Sequence, residues 1–223
     1  MTIQNIISQL GEGMLKTILL FLSTLVIALP LGLIVSFGRM SKWAPFGGKF
    51  KPIRLLTQVY ISIMRGTPLM LQIMVVYFGP YYLFGIKIST SYQIYAAIIA
   101  FAINYAAYFA EIYRGGIESM PVGQYEAAKI LGFTKTQTFF RIILPQVMKR
   151  ILPSITNEVI TLVKDTSLAF VIAYAEMFTM AKRIAAKETS MIPFVAAGIF
   201  YYIFNLVVAV VMNRIEKKMS YYR

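Results

Sequence analysis

The chain has 223 residues, of which 58% are hydrophobic and 14% are charged, and its mean hydropathy is +0.68. Soluble domains carry about 25% charged residues, so this composition excludes an ordinary soluble domain and indicates a membrane protein. The formal net charge is +13, and the sequence contains neither Cys nor His, which excludes disulfides, thiolate metal sites and Ser-His-Asp hydrolases.

Five runs are long enough to cross about 30 Å of hydrocarbon as helices. The first is longer than the apolar core of a signal peptide, about 7 to 15 residues, and is therefore interpreted as a retained helix. The second carries Arg65, Gly66 and Pro68 near its start, so we expect its first turns to be irregular. The predicted spans, all within one membrane domain of residues 1–223, are 17–37, 61–84, 92–113, 151–175 and 192–212.

Lys and Arg are distributed unevenly between the two sides that these spans define. The three segments on one side hold 15 of them, and the three on the other side hold 5. Because basic residues are retained in the cytoplasm, this bias predicts an external amino terminus and a cytoplasmic carboxyl terminus in a bacterial plasma membrane. The same bias explains the net charge without nucleic-acid binding.

The longest segment predicted to be cytoplasmic, residues 114–150, contains residues that typically begin and end helices. Pro121 is suited to the first turn of a helix, and Gly132 to the left-handed residue that closes it. Thr134 and Gln137 then form a possible capping box that opens a second helix, which Pro145 is expected to end or bend. Considered alone, this pattern fits a docking element for a partner and an interfacial amphipathic hairpin about equally well.

A spaced signature lies inside this segment. It consists of Glu126-Ala127-Ala128, Gly132, Ile142 and Leu144-Pro145. This pattern resembles the cytoplasmic signature of permease subunits of ATP-binding-cassette (ABC) importers. Three further stretches, residues 65–69, 110–117 and 164–168, narrow the resemblance to the polar amino acid permeases of the histidine, arginine and glutamine group.

The resemblance implies an all-α membrane protein with the type I ABC importer permease architecture. It implies a homodimer, or a heterodimer with a sister permease, that receives substrate from an extracytoplasmic binding protein. ATP and Mg would be held by partner ATPase subunits, and Glu126, Ala127, Ala128 and Gly132 would couple the permease to them. Agreeing with this, the chain lacks a phosphate-binding loop of the Walker type, so we expect no cofactor and no enzymatic activity in this chain itself.

Polar residues within the fourth span are candidates for substrate binding, because a charge at membrane depth costs about 3 kcal/mol or more. Glu158, Thr161 and Asp165 are three and four residues apart and share a helical stripe, and Asn157 lies on an adjacent stripe with Lys164. Lys164 and Asp165 also fit a structural role, in which they pair with neighbouring residues and hold the helix bundle together.

A second candidate region is the start of the second span. Thr67 is a suitable N-cap and Pro68 a suitable first residue for a half-helix whose amides would receive a carboxylate, near Arg65 and Gly66. A surface turn fits these residues about equally well. Asn104 either serves the site or bonds between helices. Glu111, near the cytoplasmic end of the third span, and Arg114 are expected to pair.

We therefore predict a subunit of an ATP-driven importer that moves polar, preferably basic, amino acids such as arginine, lysine or histidine by alternating access. Import of glutamine or another polar amino acid is the nearest alternative. A gradient-driven carrier or channel is the alternative from a different class, since intramembrane acids also relay protons or bind cations.

Overall fold

Helices form nearly all of the computed structural model, which describes residues 3–45 and 50–219 and contains no strand in those ranges. The α-helices are α1 Ile3–Met40, α2 Pro52–Gly66, α3 Leu69–Phe84, α4 Tyr92–Glu118, α5 Val122–Ile130, α6 Lys135–Thr138, α7 Leu144–Asp165, α8 Met177–Glu188 and α9 Ile192–Met219. A π turn, Phe139–Ile143, joins α6 to α7, and a 3₁₀ helix, Thr166–Ile172, follows α7.

The central pair of helices is α1 and α4, and small side chains bring their backbones together. A Cβ atom at Gly32 of α1 would lie 2.8 Å from Cβ of Phe109 and 3.0 Å from the carbonyl oxygen of Ala106. Small residues at such contacts allow the close approach that drives helix packing in lipid, where water does not force apolar faces together. The buried alanines of α4 are Ala96, Ala97, Ala100, Ala102, Ala106, Ala107 and Ala110.

The second predicted span is two helices that meet at a sharp break. α2 and α3 are bent by 108° at Thr67 and Pro68. Pro68 explains the break, because proline lacks an amide hydrogen and restricts the preceding residue to extended conformations. Thr67 is extended accordingly, with φ −121° and ψ 147°. The start of the span was predicted at residue 61, whereas α2 begins at Pro52.

The segment after α4 contains the predicted helix, Gly turn and capping box. Gly132 has φ 77° and follows α5, and Thr134 and Gln137 cap each other's backbone at the start of α6. Pro145 was expected to end or bend the second helix. The helical run does not end there, because it continues from α6 through the π turn into α7. Pro145 lies in the first turn of α7, where its missing amide hydrogen is tolerated.

The other helix ends also differ from the predicted spans. α1 begins at Ile3 instead of residue 17, and α7 ends at Asp165, where the 3₁₀ helix begins, instead of at residue 175. The α7–α8 connection is anchored by Glu176, whose fully buried carboxylate accepts hydrogen bonds from the amides of Phe178 and Thr179. A third bond, from the Tyr201 hydroxyl at 2.9 Å, ties this cap to α9.

Within the described ranges, α1, α4 and α9 are long and apolar enough to cross a membrane, and the bent pair α2–α3 is a fourth candidate. α7 is more polar than these helices. Its polar residues nevertheless accompany a buried face, which holds Val147, Ile151, Leu152, Ile155, Val159, Leu162 and Val163. The passage of α7 through the bilayer therefore remains a prediction.

Candidate functional site

A polar cleft of about 410 Å³ lies where the α2–α3 break meets α4 and α7. Ligand pockets typically enclose about 300 to 1,000 Å³, so the cleft is large enough for a small polar molecule. Its lining combines hydroxyl, amide and carboxylate groups with apolar residues from the break. The lining residues are Thr67, Pro68, Leu69, Asn104, Tyr105, Tyr108, Glu158, Thr161, Asp165 and Leu168.

The charged groups that line this cleft are both acidic. Glu158 and Asp165 face it from α7, with Thr161 between them on the same stripe, as the three- and four-residue spacing predicts. The hydroxyl of Tyr105 on α4 donates to Oδ2 of Asp165 over 2.7 Å. Neither Lys nor Arg belongs to the described lining. The arrangement can accept several hydrogen bonds from a cationic group and gives an electrostatic environment that favours one.

Thr67 serves the break in a different way from the one predicted. Its hydroxyl donates to the carbonyl oxygen of Ile63 over 2.8 Å, so it closes the end of α2. The N-cap of α3 is Pro68, and its carbonyl oxygen accepts from the amides of Leu71 and Gln72. The predicted roles of Thr67 as N-cap and of Pro68 as first helical residue were therefore wrong by one position. Pro68 requires an extended residue in front of it, and that residue, Thr67, is the C-cap of α2.

The structure brings together five of the eight residues predicted to bind substrate. They are Thr67, Asn104, Glu158, Thr161 and Asp165. Arg65, Gly66 and Asn157 are exposed in the single chain and do not line the cleft. The guanidinium carbon of Arg65 lies 5.2 Å from the ring centre of Tyr108, a lining residue, so this cation contacts an aromatic face beside the cleft.

Sequence reasoning missed three residues of this region, namely Gln72, Tyr105 and Tyr108. The two tyrosines belong to an aromatic and alanine-rich helix, and their spacing resembled an apolar face rather than a site. Tyr105 is only 2% exposed and stacks on Phe101 with a 3° angle between the rings. The available signal was the position of Asn104 in the same helix, because polar side chains at membrane depth need partners nearby.

The short helix α5 presents most of its surface to the outside of the single chain. Its end is a Schellman motif, in which the Phe133 amide donates to Ala128 O and the Gly132 amide donates to Lys129 O, both over 3.0 Å. Glu126 and Ala127 are exposed. Three apolar side chains on or beside α5 are exposed by 70% or more, and these are Val122, Ile130 and Leu131.

Ala128 lies on the other side of α5 and is 1% exposed. The resemblance implied a coupling role for both Ala127 and Ala128; Ala127 is exposed, whereas Ala128 packs against its own chain. Side chains from α7 also bond to α5 and to the connection that precedes it. Gln146 donates to Gln124 Oε1 over 3.3 Å, and Arg150 donates to the Ser119 carbonyl oxygen over 2.6 Å. α5 is thus attached to the base of α7, the helix that carries Glu158 and Asp165.

The predicted pair of Glu111 and Arg114 is confirmed, with 2.6 Å between Oε2 and Nη2. Arg114 also pairs with Glu118, and Nε of Arg39 at the end of α1 lies 3.8 Å from Glu111 Oε1. These charges are separate from the cleft. They join the ends of α1 and α4 close to the start of α5.

The membrane chain is all-helical, its second span is broken, and a polar cleft lies where this break meets α4 and α7. A short surface helix, α5, is attached to α7. These features define a type I ABC importer permease. The family model described as "Binding-protein-dependent transport system inner membrane component" matches residues 28–221, and the chain belongs to this family. Within it, the chain is a transport subunit of the amino acid permease group.

Two curated relatives are permeases of Bacillus subtilis (strain 168). The L-cystine transport system permease protein is 36% identical over 215 residues, covering 96% of this chain and 87% of the relative. The arginine transport system permease protein is 35% identical over 210 residues, covering 94% and 91%. Among solved structures, a crystal structure of an amino acid ABC transporter with histidines aligns with a TM-score of 0.84 and 30% identity, covering 98% of this chain and all of that one.

Proposed function

We propose that this chain forms the translocation pathway for basic amino acids in an ATP-driven importer. The observation that carries the proposal is the cleft, where two carboxylates and no described Lys or Arg face a space of about 410 Å³. A carboxylate withdrawn from water is unfavourable unless it is paired or protonated. A ligand with more than one cationic or hydrogen-donating group would supply partners in addition to the Tyr105 hydroxyl, which already donates to Asp165.

The ligand's own carboxylate would lie at the opposite wall, near Gly66 and Thr67. There α3 begins in the cleft, and the first amides of a helix lack acceptors within it. Pro68, the N-cap of α3, and Leu69, its first residue, line the cleft. The partial positive charge of the helix start favours an anion at this position, as broken helices do in other carriers. The ammonium or basic side chain would then face Glu158 and Asp165.

The relatives do not indicate which amino acid this chain transports. Those named for L-cystine and for arginine have nearly equal identity to this chain. A basic preference is supported by the charges of the cleft alone, and a neutral polar amino acid would use the same carboxylates for its ammonium group only.

Energy would come from two ATPase subunits that hold ATP and Mg and dock on α5. Glu126, Ala127 and Gly132 would take part in this docking, which is supported by their position on or beside a helix whose exposed side carries Val122, Ile130 and Leu131. Apolar side chains exposed together typically mark a protein interface. The assembly would contain a dimer of permeases and an extracytoplasmic binding protein, with the amino terminus of this chain outside and its carboxyl terminus in the cytoplasm.

The test uses the permease with its ATPase and binding protein in liposomes, with twenty amino acids scanned for stimulated ATP hydrolysis and uptake. Glu158→Gln should weaken stimulation by arginine at least tenfold more than stimulation by glutamine, since only arginine places a second cation in the cleft, and a tenfold effect corresponds to about 1.4 kcal/mol. Glu12→Gln, a change of the same kind at an exposed position of α1, is the matched control.

If Glu158→Gln weakens stimulation by arginine and by glutamine equally, Glu158 binds the ammonium group that all amino acids share, or it only stabilises the fold. Uptake that runs on an imposed ion gradient without internal ATP would overturn the importer itself.

A further inference from the structure

Gln72, in the first turn of α3, connects the helix break to the cleft. Its side-chain nitrogen donates towards Met64 O at 3.0 Å, Thr67 O at 3.1 Å and Thr67 Oγ1 at 2.8 Å. The carbonyls at the end of a helix have no partner within it, and a 108° turn prevents α3 from supplying backbone amides to them. The Gln72 amide therefore takes over hydrogen bonds that the break removes.

Asn104 of α4 completes the cluster. Its side-chain nitrogen donates to Met64 O over 3.0 Å and to Gln72 Oε1 over 3.0 Å. Asn104 is 4% exposed, so these bonds form in a nearly closed environment where they are strong and costly to lose. Together the two amides attach the α2–α3 break to α4, and both the break and α4 contribute residues to the wall of the cleft.

The orientation of both amides follows from their partners. Met64 O and Thr67 O are carbonyl oxygens, which only accept, so the nitrogen of Gln72 must face them and its oxygen must face Asn104. The two hydrogens of the Asn104 amide are then used by Met64 and Gln72. The capacity that Asn104 retains for a ligand is its oxygen, which accepts.

From this geometry we propose that Gln72 is a positioning residue for substrate. Its hydrogen bonds hold the α2–α3 break against α4 and fix the orientation of the Asn104 side chain. The side-chain oxygen of Asn104 is then a third acceptor in the cleft, in addition to the carboxylates of Glu158 and Asp165. The ligand group next to Asn104 is therefore a donor, such as an ammonium. The inference deepens the proposed function and rests on it for the identity of the ligand, whereas the hydrogen-bonded cluster is independent of that function.

The experiment compares wild type with Gln72→Leu in the complete transporter in lipid nanodiscs. Two quantities are measured, namely hydrogen–deuterium exchange of the peptide covering residues 64–72, and the concentration of amino acid that half-saturates stimulated ATP hydrolysis. Arginine is tried first, followed by whichever amino acid stimulates wild type most. Gln72→Leu should speed exchange in 64–72 and raise half-saturation about tenfold, which corresponds to about 1.4 kcal/mol.

Gln93→Leu is the matched control. Its amide lies on α4, makes a single bond of 3.0 Å to Ile172 O, and does not line the cleft. It should lower the thermal midpoint of unfolding while leaving half-saturation within twofold of wild type. If Gln72→Leu does not fold, Gln72→Glu replaces it, because an ionised glutamate keeps the size of the side chain but loses both donors.

Unchanged exchange in 64–72 would overturn the closing role of Gln72. Faster exchange with unchanged half-saturation would overturn its role for substrate. If wild type responds to no amino acid, the proposed function fails, and the exchange measurement still decides whether the amides hold the break.

Discussion

The hydroxyl of Tyr105 donates a hydrogen bond to Oδ2 of Asp165 over 2.7 Å, and this bond joins α4 to the last turn of α7 at the wall of the cleft. Tyr105 is nearly completely buried and its ring stacks on Phe101, so its hydroxyl is held in place. One oxygen of Asp165 is thereby occupied, and the carboxylate keeps a fixed direction in the cleft.

Tyr105→Phe should therefore loosen Asp165 and weaken substrate binding. Hydrogen bonds to charged groups contribute about 1.5 to 3 kcal/mol, so we expect the half-saturating substrate concentration to rise about tenfold. The measurement is substrate-stimulated ATP hydrolysis in nanodiscs. Tyr60→Phe is the matched control, because Tyr60 also bonds from one helix to another, to Ile103 O, but does not line the cleft. A similar rise in Tyr60→Phe would show that the effect comes from helix packing.

Gly32 is expected to tolerate no side chain. Its Cβ would lie 2.8 Å from Cβ of Phe109, closer than real Cβ contacts, so Gly32→Ala must separate α1 from α4. Overpacking of this kind typically costs about 1 to 3 kcal/mol. The thermal midpoint of the purified permease should fall for Gly32→Ala and stay near wild type for Gly11→Ala, which is in the same helix with nothing within 4 Å of the added atom. Equal midpoints would contradict the close approach of the two helices.

Gly132 should be required for the geometry of the turn that follows α5. It adopts φ 77°, which costs a residue with a side chain about 1 to 2 kcal/mol. Gly132→Val should therefore displace the end of α5 and lower transport per ATP hydrolysed in proteoliposomes. Gly123→Val, at the other end of α5 with open space around it, is the comparison. If both variants lose coupling to the same extent, the loss reflects α5 as a whole and not the left-handed turn.

The exposed apolar side chains beside Gly132 should contribute to ATPase docking. Ile130 is 86% exposed in the single chain, and burial of such a side chain contributes about 1.5 to 3 kcal/mol. Ile130→Asp should weaken binding of the ATPase to nanodisc-embedded permease by at least tenfold, as measured by titration of labelled ATPase. Ile86→Asp introduces the same change in the α3–α4 connection, where Ile86 is 56% exposed, and should leave the affinity unchanged. Unaltered affinity in the Ile130 variant would exclude this surface.

Local chemistry made much of this fold predictable. Gly132 and the pair Thr134 and Gln137 specify a turn and a cap through contacts within a few residues, and both are present in the structure. Apolar length likewise predicts membrane helices, because the cost of exposing backbone in lipid applies to each run by itself. The spacing of Glu158, Thr161 and Asp165 on one stripe follows from helical geometry alone.

The partners of those residues depended on tertiary structure. Nothing local to Asp165 indicates that a tyrosine sixty positions earlier holds it, and nothing local to Gln72 indicates that it replaces the hydrogen bonds lost at the break. Pro68 indicated from sequence that the second span is irregular, but only the tertiary structure shows the 108° turn and its position at the cleft. Helix ends and spacing are set by bonds between near neighbours, whereas a site is set by which helix faces meet, and that choice belongs to the whole chain.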